Sequence, residues 1–547
     1  MRTLFITKLK TGIVAAIIAT VVMAAGSSAE DKHAVGAPRW SDKAVVKFWS
    51  EALEESQKPI RPGVPGKSPF WNGGARRFIY APAFDFKPVK GATFYRFIAT
   101  VQPDKEFTFE ADAPTAALTP IWEDLPVGHT RLMVEGLREK GGEGIGYARI
   151  GHKTVREFYR ASPFRGPYRE LLPVSEYEKS IRWSYAILLQ MFRKNFRQDG
   201  GYDLGGYQSK FGAAAVSGMS AFVRLSPVPD EAEEALQIAR KAAKALILTS
   251  MPAGSPLEYF TPTYHDKRRF KGQIMLIYPA WVGHAYVDLY EATRETEFLE
   301  AARRIADTYK KTQGKEGSWP LTASEETGEP GTRNLCMPVV AVEFLERLEK
   351  SYGMKQFQQT REAATRYLME EIVAPLRMDG QFEDQSSTTP PYGNLSSKTA
   401  TLIAIYLLDR REENPEYVPM AEELLRFTED QFVIWERPFQ ELTHNKHEFF
   451  LPCVMEQYSY YTPVSGLAAV YMKASFKAYE ATGKDLHLAK ALSMANSLIA
   501  VQKTSDGEFP TFHNKGGKIG GWPNSGTFTT EALQYVMENL KEKAMVR

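Results

Sequence analysis

Ten acidic residues stand in the Gly-, Pro- and aromatic-rich segments between the amphipathic runs of the chain, and they are the first candidates for chemistry. They are Asp203, Glu258, Asp266, Glu325, Glu383, Asp384, Glu441, Glu448, Glu456 and Asp506. Hydrolysis of a glycosidic bond needs two carboxyl groups beside that bond, one protonated to assist the leaving oxygen and one ionised as base or nucleophile. This set of acids therefore makes glycoside hydrolysis one of the reactions to consider.

Four of these acids are catalytic candidates because of their neighbours in the sequence. The acid partner must have a raised pKa, which calls for apolar or anionic surroundings; Glu456 meets this best, since it lies between Met455 and an aromatic run. Glu383 and Asp384 are adjacent, so at most one points at a substrate. Asp266 precedes three basic residues, which would depress its pKa and favour a base. For each acid, a loop salt bridge or a helix cap is the alternative.

Aromatic side chains are concentrated in the same segments. Aromatic faces stack on the C–H faces of pyranose rings, while their hydroxyl and indole N–H groups remain available for hydrogen bonds. The rings expected to contact a sugar are Tyr264, Trp319, Tyr392, Tyr458, Tyr461 and Trp522. The alternative is that such rings simply fill the centre of the fold.

A uronic acid substrate would need cations for its own carboxylate. His265, Arg268 and Arg269 belong to the densest basic cluster of these segments, and Arg makes the two-pronged contact that carboxylates favour. Arg333 and Lys398 are further candidates. The alternative is that these cationic side chains are solvated or pair with neighbouring acids. A uronic acid is therefore the sugar that we favour as substrate.

Other kinds of chemistry lack their signatures in this sequence. His444 and His447 have loosely suitable spacing for zinc but stand in an apparent loop, and we expect no metal. No nucleotide-binding glycine motif follows a strand and no Gly-x-Ser-x-Gly nucleophile elbow occurs, so we expect no cofactor. Cys336 and Cys453 are far apart and are predicted to be two buried thiols rather than a bridge.

The first 29 residues have the features of a signal peptide. Arg2, Lys8 and Lys10 precede an apolar run at 12–25, which is short for a permanent membrane span, and small residues at 27–29 suit cleavage. We expect a periplasmic or secreted protein, with an uncleaved anchor as the alternative. Removing these three cations from 68 Lys and Arg leaves 65 against 66 Asp and Glu. No strong net charge then favours nucleic acid or a membrane surface as partner.

A repeated pattern indicates the fold of the larger part of the chain. A helical turn is followed by a helix and a Gly-aromatic loop three times, at 290–320, 352–382 and 479–510, which is typical of stacked helical hairpins. Apolar spacing of three and four residues predicts six outer helices near 175–196, 230–250, 296–312, 354–374, 415–434 and 484–502. It predicts six inner helices near 212–225, 273–292, 333–350, 394–410, 463–482 and 525–542.

The region before these helices has a different character. Short alternating runs between Phe78 and Phe158, broken by Pro and Gly, predict an antiparallel β-sandwich. The predicted organisation is a signal peptide at 1–29, a lead segment at 30–75, a β domain at 76–165 and a helical domain at 170–547. An exposed face of the β domain leaves a homo-oligomer open.

Two resemblances add to this interpretation. The segment from Phe84 to Tyr95 resembles the opening of fibronectin-III-like modules on secreted carbohydrate enzymes. The six hairpins resemble the (α/α)6 toroid of six-hairpin glycosidases, lyases and epimerases, and a β module before a bare toroid looks most like exported bacterial β-glucuronidases that act on arabinogalactan-type glycans. This resemblance implies a mainly α fold and an oligosaccharide or polysaccharide partner that contains a uronate.

Three functions remain open at this stage. The first is an exported glycoside hydrolase that removes a terminal uronic acid. The second is a polysaccharide lyase or sugar epimerase in which a tyrosine or histidine takes a proton; the candidates are Tyr264, His265, His444, Tyr458, Tyr460 and Tyr461. The third is a noncatalytic glycan-binding protein, which would have no essential carboxyl.

Overall fold

The computed structural model describes residues 39–61, 71, 75–101, 105–166, 171–225, 228–264, 272–378, 381, 394–439, 448–515 and 521–546. The predicted signal peptide lies outside these residues. Within them, no helix is both long and apolar enough to cross a membrane.

A six-stranded sheet forms most of the first part of the chain. After helix α1 (Asp42–Ser56) come strands β1 (Arg77–Phe78), β2 (Phe94–Val101), β3 (Lys105–Ala111), β4 (Gly128–Leu137), β5 (Gly144–Tyr147) and β6 (Val155–Arg160), with the short helix α2 (Thr119–Trp122) between β3 and β4. The strand order is β1-β6-β4-β2-β3, and β5 also pairs with β4. Only β1 with β6 is a parallel pair. The described strands of this region form one sheet, so a separate β-sandwich domain is not shown.

The sheet is joined to the helical part by buried polar contacts. The Asp430 carboxylate accepts hydrogen bonds from the backbone N–H groups of Ile79 and Tyr80, at 2.6 and 2.9 Å. The Gln431 amide donates to the carbonyl of Arg77 at 3.0 Å, and the Arg77 guanidinium donates to the carbonyl of Val433 at 2.7 Å. Buried polar groups hold two elements in one register because leaving one unpaired is costly.

Six helical hairpins follow. The outer helices are α3 (Val174–Arg193), α5 (Pro229–Thr249), α7 (Thr296–Thr312), α9 (Gln358–Tyr367, continued by a π-helical turn at Leu368–Val373), α11 (Tyr417–Phe432) and α13 (Asp485–Lys503). The inner helices are α4 (Gln208–Val223), α6 (Pro279–Thr293), α8 (Val339–Tyr352), α10 (Ser397–Leu408), α12 (Ser465–Thr482) and α14 (Pro523–Val546). Small sheets lie in the connections: β7 (Gln273–Met275) pairs with β8 (Thr322–Ser324), and β10 (Cys453–Gln457) lies between β9 (Val433–Ile434) and β11 (Tyr460–Pro463).

The inner helices form a closed ring. Each packs on the next, in the order α4, α6, α8, α10, α12, α14 and back to α4. Each outer helix packs mainly on the inner helix that precedes it in the chain, and the first outer helix, α3, packs on the last inner helix, α14. The prediction of a mainly α fold of six hairpins is therefore confirmed. We call the space enclosed by the inner helices the lumen.

The sequence separates the two layers of helices by their composition. Outer helix α7 buries one stripe, including Phe298, Ile305 and Tyr309, and exposes its charged residues. Inner helix α6 is built from Ala, Val, Gly and aromatic residues and buries most of its faces. A helix that is apolar on most faces must be surrounded by other elements, and the ring provides them.

Close packing between neighbouring inner helices leaves no room for a side chain at Gly283 of α6. A Cβ atom at this position would lie 2.4 Å from the Phe344 ring of α8. We expect Gly283→Ala to lower the free energy of unfolding by about 1–3 kcal/mol, as overpacking does in other cores. Gly521→Ala is the matched control, because a Cβ atom there meets nothing within 4 Å. Denaturant midpoints check this, and equal midpoints for both variants would contradict it.

Three of the connections from an outer helix to an inner helix use an aromatic residue to fill the core. Gly200, Gly317 and Gly507 have positive φ angles of 79°, 93° and 88°, a conformation that glycine adopts without penalty. The aromatic residue two positions later is buried in each case: Tyr202, Trp319 and Phe509. The repeated loop thus places a ring in the core between hairpins.

Candidate active site

The connections from each outer helix to the next inner helix lie at one end of the ring, beside the N-termini of the inner helices. We call this end the mouth. Six helix N-termini place partial positive charge around it. The same six connections carry the acids and most of the aromatic residues discussed above.

Aromatic rings and two lysines line the mouth. The Nζ atom of Lys210, on the first turn of α4, lies 5.0 Å from the centroid of the Tyr207 ring, 5.5 Å from Tyr278 and 5.6 Å from Trp522. The Nζ atom of Lys398, on the first turn of α10, lies 5.8 Å from the Trp281 ring. The two lysines and the helix N-termini place positive charge at the mouth.

Further aromatic rings lie beside these side chains. The Trp281 ring lies 5.1 Å from Phe528, and Tyr207 lies 5.0 Å from Tyr264. Phe512 lies 5.7 Å from Trp522 and 6.4 Å from Tyr460. The half-buried rings among these present part of their surface to the solvent: Tyr207, Tyr264, Trp281, Tyr460, Phe512, Trp522 and Phe528. Such a surface can bind the C–H faces of a sugar.

Glu456 lies beside the first turn of α10. It occupies β10, every residue of which is buried, and it is itself 5 % exposed. The Ser397 hydroxyl donates to the carbonyls of Met455 at 2.9 Å and of Glu456 at 3.1 Å, and Ser397 directly precedes Lys398. The fold therefore brings Glu456 and Lys398, predicted from separate connections, to the same inner-helix N-terminus.

A second set of contacts fixes the turn between β10 and β11. The Asn394 amide donates to the Gln457 side chain at 3.0 Å and accepts from the Ser459 N–H at 2.9 Å. Tyr458 donates its hydroxyl proton to the Gln431 side chain, and Tyr461 donates to the Gln431 carbonyl at 2.6 Å. These bonds hold Glu456 on a rigid strand, which an active-site group needs.

Three predicted sugar-contacting rings lie in the interior instead. Trp319 has no exposed surface, and its indole N–H donates to the Tyr309 carbonyl at 2.8 Å. Tyr458 and Tyr461 are each 4 % exposed and donate to Gln431 as described. Burial and satisfied hydrogen bonds make these three rings parts of the support of the mouth, because none presents a face to a ligand.

The remaining predicted site residues divide into three groups. Tyr264, Trp522 and Lys398 lie at the mouth. Arg333 is exposed and lines a separate cavity described below. Outside the described residues lie the following: His265, Asp266, Arg268, Arg269, Glu383, Asp384 and Tyr392.

The structure adds a group of charged residues that the sequence analysis missed. Six titratable or cationic side chains on four inner helices interact electrostatically with one another, and we call them the lumen cluster: His284, Asp288, Glu343, Arg347, Lys473 and Glu531. Arg347 pairs with Asp288 at 2.7 Å and with Glu291 at 2.9 Å. The sequence signal was present, since Trp281, His284 and Asp288 recur at helical spacing on an otherwise apolar helix.

The lumen cluster interacts across the ring. Glu531 of α14 lies within electrostatic reach of Asp288 on α6, and Glu343 of α8 lies within reach of Lys473 on α12, although neither pair of helices is adjacent. Burial raises the pKa of Glu343 and of Glu531 to about 7. Burial, reinforced by the Arg347 charge, lowers the pKa of His284 to about 3, and burial lowers that of Lys473.

These shifts predict a pH dependence of stability. Between its ordinary pKa of 4.5 and about 7, Glu531 keeps its proton in the folded protein and releases it in the unfolded chain, so the stability falls as the pH rises through this window. The side chain of Glu531→Gln does not titrate. Above pH 7, the free energy of unfolding of this variant, measured with urea, should exceed that of wild type by about 1–3 kcal/mol. The control is Glu538→Gln, an exposed position on the same helix. Equal wild-type and Glu531→Gln slopes of stability against pH would contradict the assignment.

The described residues hold scattered metal-ligating side chains and two buried cysteines. Among them, no group of three or more His, Cys, Asp or Glu side chains is arranged to hold a metal ion. The pair His444 and His447 lies outside them. Cys336 and Cys453 are buried free thiols, and burial raises the pKa of both well above its ordinary value.

This chain is similar to solved structures but matches no protein-family model and no curated protein. Among solved structures, the cellobiose 2-epimerase of Spirochaeta thermophila is 13% identical with a TM-score of 0.48, over 66% of this chain and 98% of that chain. The values for the heparin-specific unsaturated glucuronyl hydrolase are 12% and 0.44, over 68% and 99%. Those for a GH76 α-mannanase of Bacteroides thetaiotaomicron are 12% and 0.47, over 67% and 97%. With TM-scores below 0.5, these likenesses decide nothing about the activity of this chain.

Proposed function

We propose that this protein is a carbohydrate-active enzyme and that its mouth is the active site. More closely, we propose an exported glycoside hydrolase that removes a terminal uronic acid from a complex glycan, like a β-glucuronidase. The observation that carries the proposal is the coincidence at the mouth of half-buried aromatic rings, two lysines and the buried carboxyl Glu456.

The lining of the mouth suits an acidic sugar in two ways. Trp281 and Trp522 are partly exposed indole rings, and indoles bind the apolar faces of pyranoses while their N–H groups donate hydrogen bonds. Lys210 and Lys398 lie at helix N-termini, where the helix dipole adds to their charge. A uronate combines an apolar ring face with one carboxylate, so it meets both features at once.

Glu456 is the catalytic carboxyl that we favour. Among the described acids of the connection between α11 and α12 it is the one that is buried, and its strand is bonded to the turn that carries Lys398. Hydrolysis needs a second carboxyl. Asp266, Glu383 and Asp384 remain the candidates for that role, because they belong to the connections that precede α6 and α10.

A sugar epimerase or lyase is the second candidate, favoured by the tyrosines of the mouth. Tyr264 and Tyr460 lie in the aromatic lining, and Tyr207 and Tyr278 surround Lys210. A tyrosine beside a cation suits abstraction of a proton next to a carboxylate. Tyr458 and Tyr461 are poorer bases, since their protons are bonded to Gln431.

The deciding experiment compares cleavage with elimination. The mature protein is incubated with a panel of 4-nitrophenyl glycosides that includes the β-glucuronide, while absorbance near 235 nm is followed on uronate polysaccharides. Release of nitrophenol from the glucuronide alone is the expected result. A rise in ultraviolet absorbance without cleavage would replace the hydrolase by a lyase, and neither signal with glycan binding retained would leave a binding protein.

A further inference from the structure

A cavity lies beside the mouth, between the third and fourth hairpins. It has a volume of about 520 Å³ and is enclosed by the connection from α7 to α8 on one side and by α9 with its π-helical turn on the other. Gln381 links its walls, since its side chain accepts from the Met337 N–H at 2.6 Å and donates to the Leu335 carbonyl at 2.9 Å. We call this space the arginine cavity.

Charged side chains form the rim of the arginine cavity. Four are cationic and three are acidic: Lys315, Arg333, Arg366 and Arg377 with Glu316, Glu370 and Glu371. Among the described residues, none of the four cationic side chains forms an ion pair or a hydrogen bond. Arg361, five residues before Arg366 on α9, is paired by contrast, with Glu349 at 2.7 Å.

The floor of the arginine cavity is apolar. Leu321, Leu335, Ile372 and the ring of Tyr367 line it. The π-helical turn at Leu368–Val373 places Glu371 at the rim and Ile372 in the floor. Such turns occur often at functional sites. An apolar floor with a few polar groups around it is the usual build of a small-ligand site of this size.

We propose that the arginine cavity binds a carboxylate-bearing sugar unit of the glycan whose reacting end occupies the mouth. The inference rests on the proposed function, because it assigns to the same substrate a second point of attachment. The guanidinium groups of Arg333, Arg366 and Arg377 offer the two-pronged contact that a carboxylate favours. The acidic rim accepts hydrogen bonds from sugar hydroxyls.

The mixed charge of the rim narrows the class of ligand. A bare phosphate or sulfate offers few donors to Glu316, Glu370 and Glu371 and is repelled by them. A neutral sugar leaves the arginines without a partner. An acidic sugar carries one carboxylate and several hydroxyl donors, so it matches both kinds of group on the rim.

The test uses two probes with the same sugar chain, one with charged and one with uncharged carboxyl groups. Tetragalacturonate and its fully methyl-esterified form are titrated into the full mature protein by calorimetry at low salt. Wild type should bind the acid at least tenfold more tightly than the ester. Arg366→Ala should weaken binding of the acid about tenfold or more, as expected for the loss of a hydrogen bond to a charged group, and should leave binding of the ester unchanged.

Three variants control the result. Arg182→Ala removes an exposed arginine of α3, outside the cavity, and should bind like wild type. Arg366→Lys keeps the charge without the fork and should bind the acid between wild type and Arg366→Ala. Lys398→Met removes a cation of the mouth and should leave the preference for acid over ester in place.

The outcomes separate this inference from the proposed function. The inference would be overturned if wild type bound the acid and the ester equally or bound neither. It would also be overturned if the preference for the acid survived in the double variant Arg366→Ala with Arg333→Ala and disappeared in Lys398→Met. Charge-selective binding lost in Arg366→Ala, in a protein that cleaves no glycoside, would support the cavity and overturn the hydrolase. Glucuronide cleavage without charge-selective binding would support the hydrolase and overturn the binding role of the arginine cavity.

Discussion

Glu456→Gln is expected to lower kcat on a β-glucuronide by about 10²–10⁴-fold, the range that general acid or base groups contribute. The physical reason is that the amide keeps the shape of the side chain but neither donates a proton to the leaving oxygen nor accepts one from water. Because β10 is held by backbone and Asn394 contacts, the melting temperature should stay within a few degrees of wild type. The measurement is kcat with a 4-nitrophenyl glycoside, beside a thermal melt.

Glu448→Gln is the matched control for this prediction. Glu448 belongs to the same connection, but its side chain is 60% exposed and pairs with Lys515 at 3.2 Å. Exposed pairs contribute little, so kcat should change less than about twofold, far below the contribution of a proton-transferring group. An equal loss in both variants, or full activity of Glu456→Gln, would remove Glu456 from the mechanism.

Trp319→Ala is expected to produce the largest loss of stability. Trp319 is fully buried, its ring lies 4.9 Å from Tyr309, and its N–H bond to the Tyr309 carbonyl would be lost with the ring. Truncating such a side chain costs about 3–5 kcal/mol through the cavity and lost transfer energy. The measurement is the denaturant midpoint, and the substrate KM of any folded fraction should be unchanged.

Trp522→Ala is expected to show the opposite pattern. Trp522 is half-buried at the mouth, near Lys210 and Phe512, so its ring is available to a ligand. KM should rise about tenfold, as expected for loss of roughly 1.4 kcal/mol of binding, while the midpoint of unfolding changes little. A raised KM for Trp319→Ala with a normal midpoint would contradict the division between supporting and contacting rings.

Helical periodicity predicted the ring well where no proline or strand intervened. Outer helix α7 spans Thr296–Thr312 as predicted, and the six outer helices lie within a few residues of their predicted bounds. Inner helices α6 and α8 begin later than predicted, at Pro279 and Val339. Residues 273–275 pair as β7, and Pro279 and Pro338 mark the true helix starts, because proline is tolerated in the first turn but not inside a helix.

The candidate site was predicted less completely, because loop composition shows which residues are near the mouth and not which way they face. Lys398, Tyr264, Trp522 and Glu456 could be named from their connections. Trp319 could not be distinguished from them by type, although its place in the repeated Gly-x-aromatic loop was a sign of a structural role. The lumen cluster could not be predicted from the sequence, because Glu343 and Glu531 come close to the charges of other helices only across the lumen of the closed ring.

The most direct test of the mouth as active site is a crystal structure of the Glu456→Gln protein with 4-nitrophenyl β-glucuronide bound. We predict that the sugar ring lies against Trp281 or Trp522, with its carboxylate within hydrogen-bond distance of Lys210 or Lys398 and the glycosidic oxygen next to residue 456. A glucuronide bound away from these residues, with the mouth empty, would show that the mouth is not the active site.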